Sequence, residues 1–497
     1  MRRNVWHALS LMLAVAVTPA LVGGCATVGL REGIEDATLA QRATVAGLQG
    51  VRFWGDEVPE DFLAEVKRRL PNMPRLAQTA DRKAGRPVVE ILALSGGGGD
   101  GAFGAGFLKG WTRSGARPEF EVVTGVSAGA IIAPFAYLGP AYDDDLEQIW
   151  TAYRTSEIVT AQVLPGLLGG SALADTAPLS NLIAKYVDRK MMRAIAAEYR
   201  KGRMLLVGTT NLDAQRPVVW NMGEIASVDS EHALALFRVV ILASAAIPGA
   251  FPPVSIPVTI DNKTYTELHV DGGTTREVFI SPVQVQLSTF DQFYSKPPLR
   301  KLYLISNMKT EPEQQVVKAQ TLPIAARAIS TLIKSQSQGE IYRIYRMAKD
   351  DNAQFNFVSV PGSFKQTAKE FFDPDYQRAL FRLGEEMGAR GNAWLFEPPG
   401  TAPTTPSGAT STSRPLPARN DAAAAAAASR SPAAVPPASS ATAATPPPAT
   451  AAPLPAATAN EALADAPIAA LPASPPSAVG RPPAADTTPP AVAASSD

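Results

Sequence analysis

Ser95-Gly96-Gly97-Gly98-Gly99-Asp100-Gly101 and, one strand and helix later, Gly125-Val126-Ser127-Ala128-Gly129 hold the residue types and spacing that could do chemistry. Each segment follows an apolar, β-branched stretch and opens into a helix-like one. A glycine-lined loop at a helix start presents backbone N–H groups to an anion. A serine between two glycines on a strand-to-helix turn holds its hydroxyl exposed and strained. Together they describe a serine nucleophile beside an oxyanion hole, the apparatus of acyl transfer.

A serine hydroxyl needs a base within hydrogen-bond reach. The chain has three histidines, His7, His232 and His269. The triad order Ser, Asp/Glu, His is not met, because no histidine follows Asp271. His269 lies two residues before Asp271 on one expected strand and reads as a satisfied histidine or a neighbour of the site. Asp271 is the alternative base. It ends the strand Glu267 to Val270 and precedes Gly272 and Gly273, at a strand C-terminus where ligand sites gather in open α/β sheets. Its ordinary pKa of about 3.9 makes it a weak base unless burial raises that value. In isolation, Asp271-Gly272-Gly273 also reads as a plain turn.

Several elements must position these residues. Arg86-Pro87 breaks the chain ahead of a strand from Val88 to Leu94. A helix from about Gly101 to Ser114 buries Phe103, Phe107, Leu108 and Trp111 on one stripe. Its small residues Gly101, Ala102, Gly104, Ala105 and Gly106 let its backbone lie close to the sheet. Phe120 to Thr124 is the next strand, and Ala130 to Tyr137 an apolar helix interrupted by Pro134. Further strands are expected at Arg203 to Thr210, Val218 to Trp220, Lys301 to Ser306 and Gln354 to Val360. Helices are expected at Ala233 to Ser244, Thr321 to Lys349 and Pro374 to Gly388. Strands alternating with helices imply a mostly parallel α/β sheet.

The glycine loop through Phe103, the Gly125 to Gly129 turn, Asp271-Gly272-Gly273 and the segment Ala243 to Pro253 occur in the order and context of patatin-like phospholipases. The chain resembles that family over about Val88 to Val283, and more loosely to Phe396. The resemblance implies a three-layer α/β/α fold and a lipid acyl hydrolase working through a Ser-Asp dyad, without cofactor or metal. Ser127 matches the nucleophile and Asp271 the general base. The amides of Gly96, Gly97, Gly98 and Gly99 match the oxyanion hole, while Gly101, Gly125, Gly129, Gly272 and Gly273 support the motifs. Many relatives carry arginine in the glycine loop where this chain has Asp100, which leaves headgroup preference open. Gly50 to Asp56 resembles the lead-in of bacterial lipoprotein-type members.

Two other function classes fit parts of the pattern. Gly96-x-Gly98-x-x-Gly101 after a strand matches a dinucleotide fingerprint, but Glu119 and Glu121 lie at the start of the next strand rather than its end. A catalytically silent lipoprotein scaffold is the other alternative.

The 497-residue chain carries 46 Lys+Arg against 46 Asp+Glu and has no basic stripe, so nucleic acid is not an expected partner. Arg2, Arg3 and the apolar run Ala8 to Val22 form a signal segment. Leu21-Val22-Gly23-Gly24-Cys25 resembles a bacterial lipobox, with Cys25, the only cysteine, as the lipidated residue. Ala26 after it favours the outer membrane. The expected plan is therefore a signal over 1–24, a tether and helical lead-in over 25–87 (with a helix at Pro59 to Leu70), and a catalytic domain over 88–283. A C-terminal extension of the core over 284–398 and an Ala/Pro-rich, disordered tail over 399–497 complete it. The expected partner is membrane lipid, as substrate and as anchorage.

Overall fold

The computed structural model describes residues 31–45, 47–58, 80–81, 85–161, 174–280, 285–294 and 296–400. The signal segment, Cys25, the helix expected at Pro59 to Leu70 and the tail from residue 401 lie outside the described residues.

Nine strands build the frame: β1 (Arg52–Trp54), β2 (Arg86–Leu94), β3 (Val122–Val126), β4 (Met204–Asn211), β5 (Arg216–Asn221), β6 (Val254–Ile260), β7 (Lys263–Asp271), β8 (Leu299–Lys309) and β9 (Gln354–Val360). They run in the order β1-β5-β4-β3-β2-β8-β9, with the β6-β7 hairpin attached to β4 through β7. The five strands from β4 to β9 pair parallel, while β1-β5, β4-β5, β4-β7 and β6-β7 pair antiparallel. The α/β expectation holds, with a mixed, mostly parallel sheet. Ala80–Asp81 adds a short antiparallel pairing at the start of β2. Pro87 is inside β2 rather than breaking the chain before it, because a missing N–H is tolerated at a strand's beginning.

The helices that matter for the site are α1 (Gly101–Arg113), α2 (Ala128–Leu138), α3 (Asp143–Thr151), α4 (Ala177–Tyr186), α5 (Glu231–Ser244), α6 (Thr321–Asp350) and α7 (Pro374–Arg390). Alternation along β2 sorts the layers, since successive side chains point to opposite faces. Leu92 and Leu94 join the large core with Phe103, Phe107, Phe135 and Phe237 from α1, α2 and α5. Ile91 and Ala93 face the other way, toward Ile341, Ile344 and Ala348 of α6. β3 lies two residues later than the sequence pattern placed it, so Gly125 and Val126 are strand residues and the turn falls on Ser127. α2 runs through Pro134.

The glycines of α1 serve two surfaces. A Cβ on Gly104 would overlap Asn307 Oδ1 on β8 and lie 3.4 Å from Ile305, as expected for a helix pressed to the sheet. Gly106 and Gly110 instead face α7, where a Cβ would overlap the carbonyl oxygens of Phe381 and Glu385. Gly384 and Gly388 of α7 return the contact against the carbonyls of Phe103 and Phe107.

Candidate active site

β3 delivers Ser127 and β4 brings Asp271 to it. Val126 of β3 pairs with Gly208 of β4, after which the chain leaves the sheet at Ser127. The next β4 residue, Thr209, pairs with Asp271, the last residue of β7. One edge of β4 thus carries first the strand that ends in the serine, then the strand that ends in the aspartate.

Ser127 has φ 53° and ψ −121°, a left-handed conformation costly for a residue with a side chain. The turn is over-determined. A Cβ on Gly129 would overlap Leu94 O, and one on Gly125 would overlap Gly129 O. The Ser127 N–H donates to Ser244 Oγ at 3.0 Å, and that hydroxyl donates to Gly208 O at 2.6 Å. Ser244, at the end of α5, thereby ties the elbow back to β4.

Asp271 is 3% exposed and Ser127 5%. The Gly273 N–H donates to Asp271 Oδ1 at 2.8 Å. Burial pushes the Asp271 carboxyl up to about 7, against the nearby Ser127 hydroxyl and the Gly273 N–H, which favour the anion.

The glycine loop is clamped from β8. Asn307, fully buried, donates from Nδ2 to Ser95 O at 2.7 Å and from its backbone to Ser95 Oγ at 2.9 Å, and accepts from Gly104 N–H at 3.0 Å. Gly97 has φ 146° and its Cβ would lie 2.5 Å from Asn307 O. The loop's amides are not equivalent. The Gly96 N–H is committed to the Glu277 carbonyl at 3.3 Å. Those of Gly97, Gly98 and Gly99 meet no acceptor among the described residues. Asp100 accepts from Tyr376 Oη of α7 at 2.8 Å, and burial raises its carboxyl to about 6 despite that bond.

Ser127 and Gly98 form part of the wall of a cleft. Ile131 and Phe135 of α2, Trp150 of α3, Leu179 and Ile183 of α4, and Ile241 of α5 make that wall apolar.

The remaining histidines are elsewhere. His269 is completely buried between Thr209 Oγ1 and Glu267 Oε2, each 3.0 Å from a ring nitrogen. It is a satisfied structural histidine. His232 is exposed on α5.

Residues 92–283 match the family model of patatin-like phospholipases. That stretch of the chain is similar to patatin-like phospholipases. Among solved structures it is similar to VipD from Legionella pneumophila, at 10% identity over 64% of this chain and 70% of that one, with a TM-score of 0.31. It is also similar to full-length ExoU of the type III secretion system of Pseudomonas aeruginosa, solved with full-length SpcU. There the identity is 15% over 61% of this chain and 52% of that one, with a TM-score of 0.26. No curated protein matches the chain. The patatin-like match spans the glycine loop from its preceding strand, the serine elbow and Asp271.

The sequence pattern missed three residues of this site. Ser244 falls at a helix end and in the family-like segment Ala243 to Pro253 without a role of its own, Asn307 lies just past the strand expected to end at Ser306, and Glu277 carries no reading. Glu277 is 2% exposed and lies against Gly96 and Gly273. The one available signal is an acidic residue six positions after Asp271, ahead of the apolar run Val278 to Ile280, which has no recognisable spacing.

Proposed function

We propose that the protein is a lipid acyl hydrolase of phospholipase A or esterase type, cleaving fatty-acyl esters through Ser127 and Asp271. One observation carries the reading: a conformationally strained, buried serine stands beside the carboxyl of a buried aspartate at the wall of an apolar cleft.

Ser127 Oγ attacks the ester carbonyl carbon while its proton passes to the Asp271 carboxylate. The amides of Gly97, Gly98 and Gly99 receive the oxyanion, one such donor being worth about 3 kcal/mol. Asp271 then protonates the departing alcohol oxygen as the C–O bond breaks. In the second half, Asp271 takes a proton from water, the hydroxyl attacks the acyl-serine, and the fatty acid leaves as Ser127 regains its proton. The cleft suits the acyl chain, each buried methylene contributing about 0.8 kcal/mol. Asp100, engaged by Tyr376, adds no positive charge to the loop, so the substrate reading rests on the acyl chain.

Ser127→Ala and Asp271→Asn are each expected to abolish ester hydrolysis by the purified protein while its circular dichroism stays unchanged. Wild-type turnover in either would overturn the dyad.

Lipid anchoring through Cys25 at the bacterial outer membrane is part of the same proposal, supported by the lipobox-like run before it. Among the described residues, no helix is long and apolar enough to cross a membrane. Cys25→Ser is expected to move the protein into the soluble fraction; unchanged membrane partitioning would refute the anchor.

A further inference from the structure

Glu277 is the buried titratable group that the reaction as written leaves without a role. It follows Asp271 by one tight turn, Gly272–Thr274, and its carboxyl occupies space that two glycines leave open. A Cβ on Gly96 would overlap Glu277 Oε1, and would lie 2.9 Å from both Glu277 Cδ and Ser127 Cβ. A Cβ on Gly273 would overlap Glu277 Oε2, and would lie 3.1 Å from Asp271 Oδ1. The same two cut-outs therefore border the glutamate on one side and the dyad on the other: the serine at Gly96, the aspartate at Gly273.

Two carboxylates this close in a buried place cannot both hold a charge, and one keeps a proton. The surroundings offer no relief. Among the described residues, Asp271 is the charged group acting on Glu277, and it holds the Glu277 carboxyl well above the usual range together with the larger effect of burial. Arg276, its chain neighbour, interacts with Arg343, Glu340 and Asp56 instead. Asp100, on the packed glycine loop, is bound to Tyr376 and lies in the field of Lys309, Lys334 and Glu313. The elbow adds only the neutral Ser127.

We propose that Glu277 is a positioning residue that stays protonated beside Asp271, so that the carboxyl pair carries one negative charge and that charge resides on the base. This rests on the acyl-hydrolase reading. The proton balance follows directly. Asp271 gains the Ser127 proton on attack and returns it to the leaving alcohol, while Glu277 keeps its own throughout. When Glu277 loses that proton at alkaline pH, a second negative charge stands against the elbow where the oxyanion forms, and catalysis falls.

The test is the pH profile of kcat/KM on a soluble short-chain ester, with the full chain as wild type and as Glu277→Gln. Glutamine mimics the protonated acid. The variant is expected to keep the acid limb of the profile and to lose the alkaline one. An alkaline limb unchanged in Glu277→Gln overturns the proposal, as does a loss of about a hundredfold or more at neutral pH. A measurement that leaves Glu277 in place covers a variant that does not fold. The Ser127→Ala protein, which keeps both carboxyls, is expected to show the infrared band of a protonated carboxyl persisting above about pH 7, where its other raised acids ionise; absence of that band overturns the proposal. If Ser127→Ala retains hydrolysis, the hydrolase reading itself has failed. If it is dead and Glu277→Gln follows the wild-type profile, only the role of Glu277 has.

Discussion

In the proposed reaction Asp271 accepts a proton in a place that penalises its charge. Water would hold its carboxyl near about 3.9, where it could take little from a serine. Burial lifts it to about 7, into the range where a base works at neutral pH. A base must be ionised, so ester hydrolysis is expected to rise with pH through an acid limb at about 7; a rate already flat on the acid side would contradict that role. Stability should run the other way. A carboxyl with a raised folded pKa contributes stability below its unfolded value and loses it as pH rises through the folded one. The wild type should therefore weaken across that window, and Asp271→Asn should weaken less, since Asp100 and Glu121 still titrate there. Thermal melts of the two proteins on either side of the window check this, and an equal pH slope in both would count against it. This is the stability that an active site gives up for function.

At the scale of elements, the glycine loop depends on how α1 and α7 meet. Gly106 and Gly110 face backbone atoms of Phe381 and Glu385, and Gly384 and Gly388 face those of Phe103 and Phe107. Backbone atoms cannot rotate away as a side-chain end can. Alanine favours a free helix over glycine by about 1 kcal/mol, yet Gly384→Ala is expected to lower the melting temperature. Separating two packed helices costs about 1–3 kcal/mol. An unchanged or raised Tm would show that the helices can part freely. α7 also carries Tyr376, bound to Asp100, and Gln377, whose Nε2 lies 3.4 Å from Gly99 O. Gly384→Ala should therefore lower esterase activity as well as stability.

Across the whole molecule, the lead-in is fastened to the hairpin that bears the base. Arg52 on β1 pairs with Glu267 on β7, its second nitrogen lying 3.0 Å from Glu267 Oε1, and the side chains are 10% and 2% exposed. Burial alone would raise the Glu267 carboxyl; the hydrogen bonds from His269 and Arg52 outweigh it and bring the group down to about 2. A depressed carboxyl contributes stability above its unfolded value, lost as pH falls through the folded one. Arg52→Ala is expected to cost about 3–5 kcal/mol at neutral pH and to flatten the decline of stability between about pH 4 and about pH 2. A denaturant series at descending pH measures both, and wild-type stability in the variant would refute the clasp.

Ser127, Asp271 and the run from Gly96 to Gly99 stand out in the sequence because their patterns are local, although the fold commits the Gly96 N–H to Glu277 O. A strained elbow, a strand-end carboxylate and a glycine loop each leave a signature in consecutive residues. The alternation in β2 and the apolar stripe of α1 announced a mostly parallel α/β sheet for the same reason. What the amino-acid order could not convey is distance across the fold. The antiparallel addition of β7 to the edge of β4 puts Asp271 beside Ser127. Asn307 reaches the glycine loop from β8, and Ser244 reaches the elbow from α5. Glu277 becomes the neighbour of both dyad residues only because Gly96 and Gly273, far apart in sequence, leave space for its carboxyl. The sequence by itself determined which candidate groups stand in recognisable local patterns. The tertiary structure decided which amides remain free to receive an anion and which carboxyl is pressed against which, because burial and like-charge contact depend on position in space and not on order along the chain.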